Sequence, residues 1–171
     1  MMGNHEWKIL ERTGTDPTKR ICEKLGVKNL GYQCLIHLTL RPDGLSEGRY
    51  GGSRTVKLFA HHGWGGGTRT RGGDMTKVSR KPGEYIADIY IFAHSHQSWS
   101  DPETRLDVTS KGKPISRDCL IINPGTFKKG LSPGTIPTYE ERQGYGPQRL
   151  GGRVIEIEVD THKWVNLRAI E

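Results

Sequence analysis

No apolar stretch in this 171-residue chain approaches the roughly 18 residues that a membrane-spanning helix needs. The first residues, Met1-Met2-Gly3-Asn4-His5-Glu6, carry neither a basic run nor an apolar one. No secretory leader is therefore legible, no membrane partner is expected, and a cytoplasmic location is the expectation. Cysteine is scarce: Cys22, Cys34 and Cys119 are odd in number, widely spaced and in no CxxC pair. That excludes a disulfide framework and a cysteine zinc site, and leaves the three as small buried hydrophobes. Acidic residues are outnumbered, 19 against 26 basic, for a formal charge of +7. Such an excess favours an anionic partner, a phosphate ester or a nucleic acid. The basic residues are dispersed, however, and form no nucleic-acid arm. There is no internal repeat and no domain boundary, so residues 1–171 are expected to form one domain.

What is present alternates between strand and helix signals. Asp16, Pro17 and Gly26 are the cap, first-turn and stop residues of a helix over 17–25, with Ile21 and Leu25 as its inward stripe. The spacing predicts a strand over 33–41, with Cys34, Ile36, Leu38 and Leu40 on one face and Leu35, His37 and Thr39 on the other. Pro42-Asp43-Gly44 closes it as a turn. A strand over 55–60 runs into His61-His62-Gly63, and a Gly-rich loop covers 64–73. The apolar run 86–92 has the pattern of a strand buried on both faces, and ends in Ala93-His94-Ser95-His96. A further buried strand, 119–122, ends in Asn123-Pro124-Gly125. Residues 131–148, rich in Pro, Gly and Tyr, read as a surface loop. Strands over 153–159 and 163–169 form a closing hairpin about a turn at Asp160-Thr161.

Five of the seven histidines fall in three clusters: Asn4-His5, His61-His62 and His94-Ser95-His96. Two of the three follow strands directly, where open α/β sheets gather site residues from distant parts of the chain. Imidazole is the commonest metal ligand, so a metal site is the expectation. His37, in mid-strand, and His162, in the final turn, read as plain structural or surface residues.

These blocks resemble, in order, those of the calcineurin-like metallophosphoesterases. Gly3-Asn4-His5-Glu6 is similar to that family's Gly-Asn-His-Asp/Glu block, and His61-His62-Gly63 to its histidine block. Residues 87–97 are close to its final Gly-His-x-His block, with Ala93 in place of the first Gly. Asn123-Pro124-Gly125-Thr126 resembles the Asn-Pro-Gly-Ser/Thr turn that follows. Each block alone is weak; four in sequence, each at a plausible strand end, are specific.

The resemblance implies an α/β fold: a metallophosphoesterase-type two-sheet sandwich flanked by helices, here N-terminally truncated. It also implies metal-dependent hydrolysis of a phosphomonoester or phosphodiester, with a nucleotide and a nucleic acid among the candidate substrates. Two divalent ions, Mn, Fe or Zn, would stand about 4 Å apart. One would be held by Asn4, a histidine of the His61-His62 pair and His94; the other would use His96. By the resemblance His61 is preferred, with Gly63 at a position where relatives carry Pro, and His62 lies near the substrate. The reverse assignment stays open. His5 would protonate the leaving oxygen, and Glu6 would steady its loop by hydrogen bonds. Trp64 and Arg69, with Arg71, are candidate substrate contacts, against the blander reading of a packed ring in a solvated basic loop.

The family's first two blocks, Asp-x-His and Gly-Asp-x-x-Asp, do not occur in these contexts, and Asp74 and Asp107 cannot replace them by order. The expectation is a partial domain that needs an upstream segment or self-association. Alone it would bind at most one ion, weakly. An inactive remnant and a basic nucleic-acid-binding module are the rival readings.

Overall fold

The computed structural model describes residues 1–40, 53–65, 70–131, 134, 136–159 and 165–170. The elements in chain order are α1 (Asn4–Thr13), α2 (Pro17–Leu25), β1 (Gln33–Leu40), β2 (Arg54–His61), α3 (Arg71–Val78), α4 (Lys81–Glu84), β3 (Ile89–Phe92), β4 (Ser98–Val108), β5 (Pro114–Pro124), α5 (Tyr139–Gln143), β6 (Val154–Val159) and β7 (Val165–Ile170). Five strands make one mixed sheet in the order β1-β2-β3-β5-β4, and β6 pairs with β7 in a separate antiparallel hairpin. The chain is therefore a mixed α/β fold.

The middle three strands, β2, β3 and β5, run parallel, and β1 and β4 flank them antiparallel. Parallel strands need cover on both faces, and both faces are covered. On one, Phe59, Tyr90, Phe92, Cys119 and Ile121 pack with Trp99 and with Met75 and Val78 of α3. On the other, Val56, Ile89, Leu120 and Ile122 pack against Ile155, Ile157 and Leu167 of the hairpin. Burying each such side chain is worth about 1.5–3 kcal/mol. The core sits here.

Several expectations hold. α2 spans the expected residues: Asp16 Oδ1 accepts a hydrogen bond from Lys19 N at 2.9 Å, and Gly26 ends the helix in the left-handed conformation. β1 alternates as its sequence pattern requires, half-buried at Cys34, Ile36, Leu38 and Leu40 and exposed at Leu35, His37 and Thr39. The expectation of three buried cysteines holds for Cys119 alone; Cys22 and Cys34 are half-buried.

Others are corrected. Ile21 and Leu25 do not face inward; they are 59% and 68% exposed, because nothing in the described fold lies over that side of α2. The buried strand is shorter than 86–92: Ile86 is exposed and pairing begins at Ile89. The Gly-rich segment ends early, at Arg71, where Thr70 Oγ1 caps α3 by accepting from Gly73 N. The 131–148 segment contains α5, opened by a reciprocal cap between Thr138 and Glu141. α1 and β4 were not expected at all. The turns at 42–44 and 160–161, His162 and Arg69 lie outside the described residues. No helix among the described residues is long and apolar enough to cross a membrane.

Candidate metal centre

Because β2, β3 and β5 are parallel, their carboxyl ends open on the same edge of the sheet. His61-His62, His94-Ser95-His96 and Asn123 therefore arrive together from three distant parts of the sequence. The chain start joins them: Met2 N donates to Gly31 O, and His62 N to Tyr32 O, which sets the first turn of α1 beside the end of β2.

Three side chains meet there. His62 Nε2 lies 2.8 Å from Asn4 Oδ1 and 3.3 Å from His94 Nδ1. His94 Nε2 is 2.7 Å from Gly65 O, a group that can only accept, so Nε2 carries the hydrogen and Nδ1 presents a lone pair toward His62. One Nε2 hydrogen on His62 thus faces two acceptors. Ligand atoms sharing an ion at about 2.0–2.2 Å stand roughly 3 Å from one another, so this spacing fits a bound divalent cation. The fit is to a neutral donor set: among the described residues no group of three or more His, Cys, Asp or Glu is arranged to hold a metal ion.

Two glycines make the approach possible. A Cβ on Gly3 would fall 2.8 Å from His62 Cε1, and one on Gly63 would fall 2.6 Å from both Ala93 O and His94 Cβ. Gly63 also has φ +102°, which side chains rarely adopt. Glu6 steadies this turn as expected, its Oε2 accepting from Gly3 N at 3.0 Å.

His61, the preferred candidate by resemblance, does not join the cluster. Its ring stands edge-on to Trp64 at 5.2 Å, near Phe92, and its Nδ1 accepts from Gly63 N at 2.8 Å. Trp64 is half-buried, with Lys77 and Lys81 within 5.3 and 5.1 Å of its ring. It does not line the cavity described next. Arg71 is exposed at the start of α3.

A cavity of about 480 Å³ opens beside the cluster, lined by Asn4, His5, His94 and His96 together with Lys128, Tyr139, Glu140 and Tyr145. Burial by itself would raise the Glu140 carboxyl, but its hydrogen bond with Lys128, at 2.7 Å, prevails and holds it below the usual range.

Sequence reasoning missed the residue that holds the histidine loop. Asp74, on α3, is buried, and its Oδ2 accepts from Ser95 Oγ at 2.7 Å, Trp99 Nε1 at 2.7 Å and Asn123 Nδ2 at 2.8 Å. Ser95 sits between His94 and His96, whose φ values of +73° and +61° are unusual for residues other than glycine. The loop is thus strained on both sides of the serine that Asp74 grips. A signal was available, since Asp74 lies four residues before buried Val78 on one face of α3.

Burial, foremost, lowers the pKa of His61, His62 and His96 below the ordinary 6.5; Lys81 adds to the effect at His61, His94 at His62 and Lys128 at His96. The shifts favour neutral imidazole near neutral pH, the form in which a ring nitrogen can ligate a metal. Because the folded values lie below the unfolded ones, the unfolded chain takes up protons first as the pH falls. Stability should therefore be level above about pH 6.5 and decline as the pH drops through that value toward the lowered ones. Urea midpoints between pH 8 and 5 measure this. A midpoint that rises on acidification across that range contradicts it.

Comparison with family models, with curated proteins and with solved structures finds no match to this chain.

Proposed function

We propose that this chain carries the histidine and asparagine portion of a metallophosphoesterase-type domain, which hydrolyses a phosphomonoester or phosphodiester at a dinuclear metal centre. The observation that supports this most is the approach of Asn4 Oδ1 and His94 Nδ1 to His62 Nε2, at 2.8 and 3.3 Å. In this reading Asn4, His62 and His94 hold one divalent ion, Mn, Fe or Zn, and His96 contributes to a second. Carboxylates in Asp-x-His and Gly-Asp-x-x-Asp contexts come from a further segment. Bound ions would polarise the phosphate and furnish hydroxide at neutral pH.

The chain's own residues do the rest. His5, exposed on the first turn of α1 and lining the cavity, holds a proton for the leaving oxygen. Asp74 fixes the loop that carries His94 and His96. The basic excess draws an anionic ester toward the site. The β6–β7 hairpin would be part of the second sheet of a two-sheet sandwich. Trp7, Ile21, Leu25 and Leu35 are exposed, and in this reading the further segment would cover them.

Metal titration of point variants tests the ligand assignment. His62→Ala and His94→Ala should each weaken Mn binding roughly tenfold or more, whereas His61→Ala should bind as the parent does. Electron paramagnetic resonance of free Mn reads this directly. Loss of binding in His61→Ala with retention in His62→Ala would reverse the assignment.

A further inference from the structure

β1 is one outer strand of the five-stranded sheet and β4 is the other, and the two edges differ in chemistry. An exposed edge invites pairing with another chain, and proteins guard such edges with charges and proline. β4 is guarded: Asp101, Pro102, Glu103, Arg105 and Asp107 stand along it. β1 has no proline, no glycine and no Lys, Arg, Asp or Glu, and its Cys34, Leu35, Ile36, Leu38 and Leu40 are apolar. Uncharged segments of this kind pair readily with copies of themselves. The backbone of β1 has a fixed phase. His62 N donates to Tyr32 O at the start of the β1–β2 ladder, so Tyr32 and every second residue after it turn their backbone groups toward β2. On the far side of β2, Lys57 O accepts from Asp88 N, which agrees with Lys57 and its partner His37 turning away from that ladder. The N–H and C=O groups of Gln33, Leu35, His37 and Thr39 therefore point off the edge of the sheet. All four residues are exposed, and among the described residues only β2 pairs with β1.

We infer that this edge is the interface between two copies of the chain, which pair β1 to β1 antiparallel and join their two sheets into one. A two-fold axis at Ile36 gives the longest overlap. It sets Gln33 opposite Thr39 and Leu35 opposite His37, as pairs whose outward backbone groups exchange hydrogen bonds. Between them Cys34 meets Leu38 and Ile36 meets its own copy, on the face where these side chains are half-buried. Apolar side chains thus lie opposite apolar ones on that face, and no Lys, Arg, Asp or Glu of the strand meets a like charge. This self-complementarity is what commits the edge to a second copy and not to an unrelated strand. Gln33 pairs with His61, so the two candidate metal centres would open at opposite ends of the joined sheet. The inference does not rest on the metallophosphoesterase reading.

Sedimentation equilibrium of the full chain, in a chelator so that no metal bridges exposed histidines, tests it. The mass should climb from that of a monomer toward twice that value over about 1 to 500 µM, as a small interface allows. His37→Pro should abolish the climb, because it removes one outward N–H and leaves the bonds to β2 in place. Circular dichroism checks that this variant is folded. Where it does not fold, amide hydrogen exchange in the parent chain decides. On concentration the amides of Leu35, His37 and Thr39 should slow about tenfold, whereas those of Ile36, Leu38 and Leu40 are slow throughout. A monomer at every concentration overturns the inference. So does a dimer that leaves the three outward amides exchanging fast, or one that survives in folded His37→Pro. Slow outward amides in a monomer overturn it too, since another part of the chain would then hold the edge.

Discussion

Purified residues 1–171 are expected to retain at most one weakly bound Mn ion and to hydrolyse a bis-aryl phosphodiester no faster than a metal-only blank. The reason lies in the charge of the donors. Asn4, His62 and His94 would be neutral ligands, and no described cluster adds carboxylates to them. Two divalent ions about 4 Å apart repel each other by about 16 kcal/mol even at an effective dielectric constant near 20. Only anionic ligands between and around the ions can offset that. A segment bearing Asp-x-His and Gly-Asp-x-x-Asp, fused or added in trans, should restore metal content and turnover. In that restored enzyme His5→Ala should lower turnover by about a hundredfold or more while leaving metal content intact, as loss of a proton donor does. Robust, histidine-dependent turnover by residues 1–171 alone would show that other residues supply the charge. The partial-domain reading would then be wrong.

The second large effect is structural. Asp74→Ala should destabilise the fold by about 3–5 kcal/mol, seen as a lower urea midpoint at unchanged slope. Three donors converge on Oδ2, from Ser95, Trp99 and Asn123, and all lose their acceptor in the variant. Metal affinity should fall as well, because His94 and His96 keep their positive φ values only while the loop between them is held. Asp74→Asn can place its amide oxygen at the Oδ2 position and keep the three hydrogen bonds in weaker, uncharged form, and should recover more than half of the loss. A change below about 1 kcal/mol in Asp74→Ala would mean that the loop holds itself.

What was legible in the sequence was what local chemistry decides. The ends of α2 follow from Asp16, Pro17 and Gly26, each of which acts on its own backbone. The faces of β1 follow from simple alternation. By contrast, the Ile21 and Leu25 stripe says only that one side of α2 is apolar, not what covers it. β4 escaped notice because Pro102 and its charged neighbours look unlike a strand; the edge of a sheet tolerates both, since one side of the ladder is unpaired there. The histidine choice was also readable. His61 is the last residue of β2 and shares a face with Phe59, so its ring turns into the aromatic cluster. His62, one residue beyond the strand, is free to turn toward Asn4. The part of the cavity lining at Tyr139 and Tyr145 lies in a stretch that reads as loop, although Thr138 and Glu141 form a helix-opening pair.

The claim on which the rest depends is that Asn4, His62 and His94 bind one ion together. Anomalous diffraction at the zinc edge, from crystals of the chain grown with zinc, tests it most directly. A peak is expected about 2.0–2.2 Å from Asn4 Oδ1, His62 Nε2 and His94 Nδ1, with the His61 ring still edge-on to Trp64. A peak bonded to His61, or zinc bound elsewhere on the protein while these three side chains hold none, would contradict it.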